Sequence, residues 1–282
     1  MNREVENFLS SFPFSEQTKE TYRYVLSLLL DETYPTWSAS DLLLLVQRSG
    51  WGNSLQYVAL SACRKFIAFQ CGNDHPALAA RIKRVKPKKQ RSMDMERVLD
   101  LLSSFDPYTP IGARDLALAA LAVDTGLRAS ELARIQLQDV DLEQRTLQVI
   151  VKGGQWGLAI YSAETAIFID RWLSYRKPAD GVGNLFISLR ENKTKGRALT
   201  KHGVKAAFKR WGIALGFKLS PHDARRTFGN ITASLGAPTS VSMAAGRWES
   251  YESFRRYQQE IVARSINPYL PVANALKPKA DS

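Results

Sequence analysis

The chain has 282 residues, with 39 Lys and Arg against 27 Asp and Glu and a formal net charge of +12. Hydrophobic residues make up 45% and charged residues 23%, enough apolar surface to offset the ordering entropy of folding, which excludes a disordered tail protein. A basic excess carried on a folded body points to a polyanionic partner. At roughly 100–200 residues per domain, the length suits two domains with separate cores.

The opening segment MNREVENFLSSF has neither a signal-peptide apolar core nor an Arg/Ser-rich transit pattern. Apolar runs such as Leu42 to Val46 fall far short of the roughly 18 residues of a membrane span. A soluble protein of the cytoplasm is expected, or of the nucleus in a eukaryote.

Residues 1–82 read as a compact helical domain. Ser15 heads SEQTKETYRYVLSLLL as an N-cap without the full capping box, since Thr18 stands three residues on. Tyr22, Val25, Leu26 and Leu29 then form an apolar stripe at helical spacing. Ser38 caps a second helix carrying Leu42, Leu45 and Val46. Asn53 opens a third, with Leu55, Val58, Ala59, Ala62, Phe66 and Phe69 on its core side. Gly50, Gly52 and Gly72 break these helices. Cys63 and Cys71 lie eight residues apart on the third helix. They are expected to share a face two turns apart, too distant for a disulfide, and both to be small buried hydrophobes in a reducing compartment.

The run RIKRVKPKKQR, Arg81 to Arg91, holds seven basic residues and no acidic one. Alone it is a solvated connector. Residues 1–90 carry net +4 and the remainder +8, so an interdomain linker over 83–93 joins two basic bodies. It is therefore expected to lie against phosphates through Lys83, Arg84, Lys86, Lys88 and Lys89.

Residues 94–262 read as a second, mostly helical domain. MDMERVLDLLSSF and GARDLALAALAVDTGLRASELARIQL carry helical patterns, which resume over Ala163–Arg176 and Lys201–Leu215. Between them RTLQVIVKGGQWGLAIY has two β-rich runs around Gly153-Gly154 and reads as a hairpin. The fold class is thus mainly α with a small β-hairpin or sheet. No P-loop appears, nor any acidic cluster spaced for a two-metal nuclease.

Several polar residues form an ordered set. Arg128 stands three residues before Glu131 at the start of a helix, and Lys152 closes the first hairpin strand. His222 and Arg225 lie at i and i+3 on a helix that Pro221 is suited to begin. Trp248 follows Gly246-Arg247, and Tyr257 comes nine residues after the Trp. Singly, each is an ordinary surface or core residue. Together, over about 95–262, they resemble the tyrosine recombinase (phage integrase) family, whose signature is Arg, Lys, His-x-x-Arg, His or Trp, then Tyr. The hairpin KGGQWGLAIYSA departs from the family's frequent pattern of several basic residues and a Pro after the Lys.

The resemblance implies a helical core-binding domain of SAM-like type followed by the integrase catalytic domain. It implies a site-specific recombinase of the simple Cre/Xer-like kind, since the core-binding helices begin almost at once. Tyr257 would be the nucleophile that attacks a DNA phosphodiester, giving a 3′-phosphotyrosyl bond and a free 5′-hydroxyl. Arg128 and Arg225 would clamp the charge gathering on the nonbridging oxygens, and Lys152 would protonate the leaving oxygen. A phenol of pKa about 10 needs help as a nucleophile, from His222 as base, or His222 donates to the phosphate instead. Trp248, at the position where Cre-type members carry Trp, would contact phosphate and pack, since an indole does not titrate. Glu131 would orient a cationic neighbour. No nucleotide, metal or other cofactor is expected, because the phosphotyrosine conserves the bond energy.

The implied partner is a double-stranded recombination site with inverted repeats, held by a homotetramer, a dimer per site. An accessory protein setting direction would be a further partner. No membrane partner is expected, and the cytoplasmic location becomes nucleoid- or plasmid-associated. The tail 263–282 keeps Ile266, Leu270, Val272 and Leu276, which would pack on the same chain or dock on a neighbouring protomer. Two rival readings are relaxation by a type IB topoisomerase and a non-cleaving DNA-binding regulator or architectural protein.

Overall fold

A computed structural model describes residues 2–31, 33–83, 85, 91–150, 154–248, 250, 251 and 254. The chain divides into two compact units, Met1–Lys88 and Lys89–Ser282.

The first unit is four helices: α1 (Asn2–Ser10), α2 (Glu16–Leu29), α3 (Ala39–Arg48) and α4 (Asn53–Cys71). Helix α4 packs on the other three. Ser15 Oγ accepts the Thr18 amide at 3.3 Å, the expected N-cap. At α3 the cap is a full box, in which Ser38 Oγ accepts the Asp41 amide and Asp41 accepts the Ser38 amide at 2.8 Å. These hydrogen bonds hold the Asp41 carboxyl below its ordinary pKa. Phe8 lies at the centre of the core, with Phe66 edge-on at 5.6 Å and Phe14 and Tyr22 beside it.

Two expectations for α4 need correction. Phe69 is 37% exposed and covers the edge of the aromatic group against Phe8 and Phe12. Cys63 is buried, its thiol pushed up to about 12 by desolvation, but Cys71 is exposed. Eight residues at about 100° each turn it roughly 80° away from Cys63, so the two do not share a face.

The second unit contains α5 (Met95–Ser103), α6 (Pro110–Thr125), α7 (Ala129–Arg134), β1 (Val140–Asp141), β2 (Thr146–Ile150), β3 (Trp156–Ile160), α8 (Ala163–Tyr175), α9 (Lys201–Ala214), α10 (Pro221–Ser234) and α11 (Thr239–Gly246). Its core helix is α6, buried from Gly112 through Ala122 and packed against α8 and α10. The long helical pattern around it breaks at Gly126, which ends α6 in the left-handed conformation at φ +60°. The hairpin pairs Gln148 with Leu158 and Ile150 with Trp156. Leu147, Val149 and Ala159 point into the core, while Trp156, Leu158 and Ile160 face outward. The short strand β1 extends it to an antiparallel sheet of order β1-β2-β3, a strand the sequence pattern does not reveal.

Inside this core the carboxylate of Asp115, 3% exposed, is fully used. Arg114 donates to one oxygen at 2.9 and 2.6 Å, and Arg210 and Trp211 donate to the other at 2.6 and 2.8 Å. The buried charge is thereby matched, and α6 is joined to α9.

Candidate active site

The site is built around the turn from α6 to α7. Gly126 is required there, because a Cβ would lie 3.1 Å from the Phe228 ring and φ is positive. Arg128 is the N-cap residue of α7, a position where its own side chain has no oxygen to offer. Glu131 supplies the cap from the third helical position. Its Oε2 accepts the Arg128 amide and its Oε1 accepts Arg128 Nη1, both at 2.8 Å. The carboxylate is 4% exposed and the guanidinium 40%. A buried acid thus holds a cation whose head stays open.

Helix α10 brings in the next pair. Ser220 caps it by accepting the Asp223 amide at 3.3 Å, and Pro221 takes the first helical position. Arg225 is 2% exposed, and its Nη1 donates to the Gly126 carbonyl at 2.7 Å. Asp223, also buried, accepts from Ser220 Oγ at 2.7 Å and from Arg226 at 3.1 Å, with Arg91 at 3.5 Å. His222 is left at the surface of this cationic group. Its pKa lies below the ordinary value, first through loss of solvent around the ring and then through Arg226, with Arg225 and Arg128 adding and Asp223 opposing.

Trp248 forms the wall behind Arg225. Its ring stacks on Phe228 at 5.9 Å, tilts against Phe254 at 4.8 Å and receives the Arg225 guanidinium 4.3 Å from its centroid. Space for the indole comes from Gly246, where a Cβ would fall 1.7 Å from the ring, and from Gly229 at 3.3 Å.

Arg128, Glu131, His222, Arg225 and Trp248 therefore belong to one cluster. Lys152, Tyr257, Arg84, Lys86, Lys88, Lys89 and the 263–282 tail lie outside the described residues. Lys83 is exposed in the first unit, where its carbonyl accepts from Asn53 Nδ2 at 3.3 Å. One member of the cluster escapes sequence reasoning. Arg247 caps α11 in the left-handed conformation, φ +55°, and donates to the Thr125 and Ala245 carbonyls at 2.7 Å each and to Leu158 at 3.4 Å. The one available signal is an Arg just past a helix C-terminus, a position that suits cations generally. Among the described residues, no group of three or more His, Cys, Asp or Glu is placed to hold a metal ion, and no helix is long and apolar enough to cross a membrane.

Residues 91–263 match the family model described as Phage integrase family. The chain is 28% identical over 259 residues to tyrosine recombinase XerD of Haemophilus ducreyi, spanning 84% of this chain and 86% of that one. It is also 28% identical over 232 residues to tyrosine recombinase XerA of Pyrococcus horikoshii, spanning 79% and 77%. Among solved structures, a lambda integrase dimer bound to a core site superposes with a TM-score of 0.73 at 14% identity, over 92% of this chain and 95% of that one. This last likeness carries the fold alone. With the family model covering most of the chain and tyrosine recombinases matched along most of their length, the protein belongs to the phage integrase family and is a tyrosine recombinase.

Proposed function

We propose that this recombinase exchanges strands between two double-stranded DNA core sites with inverted repeats through a covalent 3′-phosphotyrosyl intermediate. The observation that carries this reading is the convergence of Arg128, Arg225 and His222 from two helices onto the α6–α7 turn. The acids beside them, Glu131 and Asp223, are buried and already engaged by their own neighbours. Such a cationic group calls for an external anion, and a phosphodiester has the matching charge and oxygens.

Tyr257 Oη forms a bond to phosphorus, and the bond to the 5′-oxygen breaks. Lys152 gives its proton to that oxygen, and the phenol proton passes to His222 or to a phosphate oxygen. Arg128 and Arg225 carry the charge that builds on the nonbridging oxygens, while Trp248 backs Arg225 and packs beside the phosphate. Glu131 orients Arg128. Reversal by a second 5′-hydroxyl reseals the strand without nucleotide. The first unit acts as a core-binding domain, the basic run 83–93 follows the backbone, and a homotetramer holds the two sites within the cytoplasm.

The test begins with recovery of the bound DNA by pull-down and footprinting. A nicked duplex built on that site should trap a covalent adduct that resists denaturant and disappears in Tyr257→Phe. Absence of adduct from the wild-type protein on its footprinted site overturns the catalytic reading.

A further inference from the structure

Arg247 is held at a cost in two ways. Its backbone occupies the left-handed region at φ +55°, where a residue with a Cβ is disfavoured. Its buried Nε has no hydrogen-bond partner among the described residues. Burial also lowers its pKa, with Arg128 adding to that shift and Glu131 opposing it, which places all three in one electrostatic group.

What these costs secure is the α6–α7 turn. Two arginines grip adjacent carbonyls of that turn: Arg247 Nη2 donates to Thr125 and Arg225 Nη1 to Gly126, each at 2.7 Å. Arg128 follows two residues later. Arg247 also fixes its own approach by donating to Ala245, and the next residue is Trp248, on whose ring Arg225 rests. The long bond to Leu158 at 3.4 Å is the weakest of its contacts.

We propose that Arg247 is a positioning residue that aligns the Arg128–Arg225 phosphate clamp by tying the end of α6 to the end of α11. The inference rests on the recombinase reading above, and its prediction concerns charge at the scissile phosphate. Misplacing a reacting group by about 1 Å costs on the order of 100-fold in rate. Arg247→Asn tolerates the left-handed backbone but is too short to reach Thr125, so it keeps the fold while removing the bridge. Arg247→Ala serves as the second variant, and thermal melting and DNA affinity are measured for both.

Cleavage is compared on three nicked duplexes carrying the footprinted site. One is unmodified, one has a methylphosphonate at the scissile position, and one has a 5′-bridging sulfur. The methylphosphonate lacks one anionic oxygen, so it depends less on the clamp. The sulfur leaves without a proton, so it does not depend on Lys152. The expected result is a loss of about 100-fold on ordinary DNA that shrinks by at least an order of magnitude on the methylphosphonate and persists on the sulfur substrate, as in Arg128→Ala. Rescue by sulfur alone, an equal loss on all three, or no loss overturns the inference. A wild-type protein that forms no adduct on any of the three overturns the recombinase reading itself, a distinct outcome.

Discussion

His222 illustrates how a single side chain takes its chemistry from its neighbours. An unperturbed imidazole titrates at about 6.5, and here desolvation and the charges of Arg226, Arg225 and Arg128 push it lower, outweighing Asp223. The ring is therefore neutral at pH 7 and able to accept a proton. The unfolded chain begins to take up that proton below about pH 6.5, while the native state resists it until the lower folded pKa is reached. Stability attributable to His222 is therefore intact above about pH 6.5 and declines as pH falls through that value. Urea unfolding at pH 7.5 and pH 5.5 should show a larger acid-side loss for the wild type than for His222→Gln. An imidazole titration followed by NMR should place His222 below 6.5. An identical acid-side loss in both proteins would remove His222 from the linkage.

At the scale of elements, the second unit is organised by α6, whose C-terminal end carries the candidate site turn and which also carries Asp115. Removing that carboxylate leaves Arg114, 7% exposed, without its partner in the interior. Asp115→Ala should cost about 3–5 kcal/mol, read as a lower denaturation midpoint. A loss below about 1 kcal/mol would mean that Arg114 finds water or another partner. The helices were legible because their apolar spacing and caps are local signals: Ser15, Ser38 and Pro221 each stand where the chain starts a helix. Strand β1 was not legible, since two residues, Val140 and Asp141, set no period and pair only because β2 is beside them. Of the ordered set read from the sequence, Arg128, Glu131, His222, Arg225 and Trp248 come together in the fold. The i,i+3 spacing of Arg128 and Glu131 is a local signal, but nothing local announces that Arg247 reaches back more than a hundred residues to the carbonyl of Thr125. That contact joins distant segments, and only the fold brings them together.

For the whole molecule, the proposed function divides the net charge of +12 into two roles that experiment can separate. Both halves of the chain are basic, and the run from Arg81 to Arg91 joins them with seven cations. Cations that contact phosphates diffusely act by releasing condensed counterions, so the logarithm of affinity falls with the logarithm of salt by about 0.9 per neutralised phosphate. Lys86→Gln and Lys88→Gln should each weaken DNA binding across all sequences and reduce the salt slope by about 1. Cleavage at saturating protein should stay unchanged. Arg225→Gln should differ in cleavage. Its guanidinium is buried between Trp248 and the Gly126 carbonyl and, in the proposed mechanism, would face a single phosphate, so its removal should alter the slope by no more than one contact, as at a connector lysine, while slowing adduct formation by about 100-fold or more. Fluorescence anisotropy at several salt concentrations, set beside adduct formation on the nicked duplex, measures both quantities for each variant. If Lys86→Gln and Lys88→Gln leave the slope intact, the connector is a solvated spacer and the diffuse charge acts from the two folded units alone.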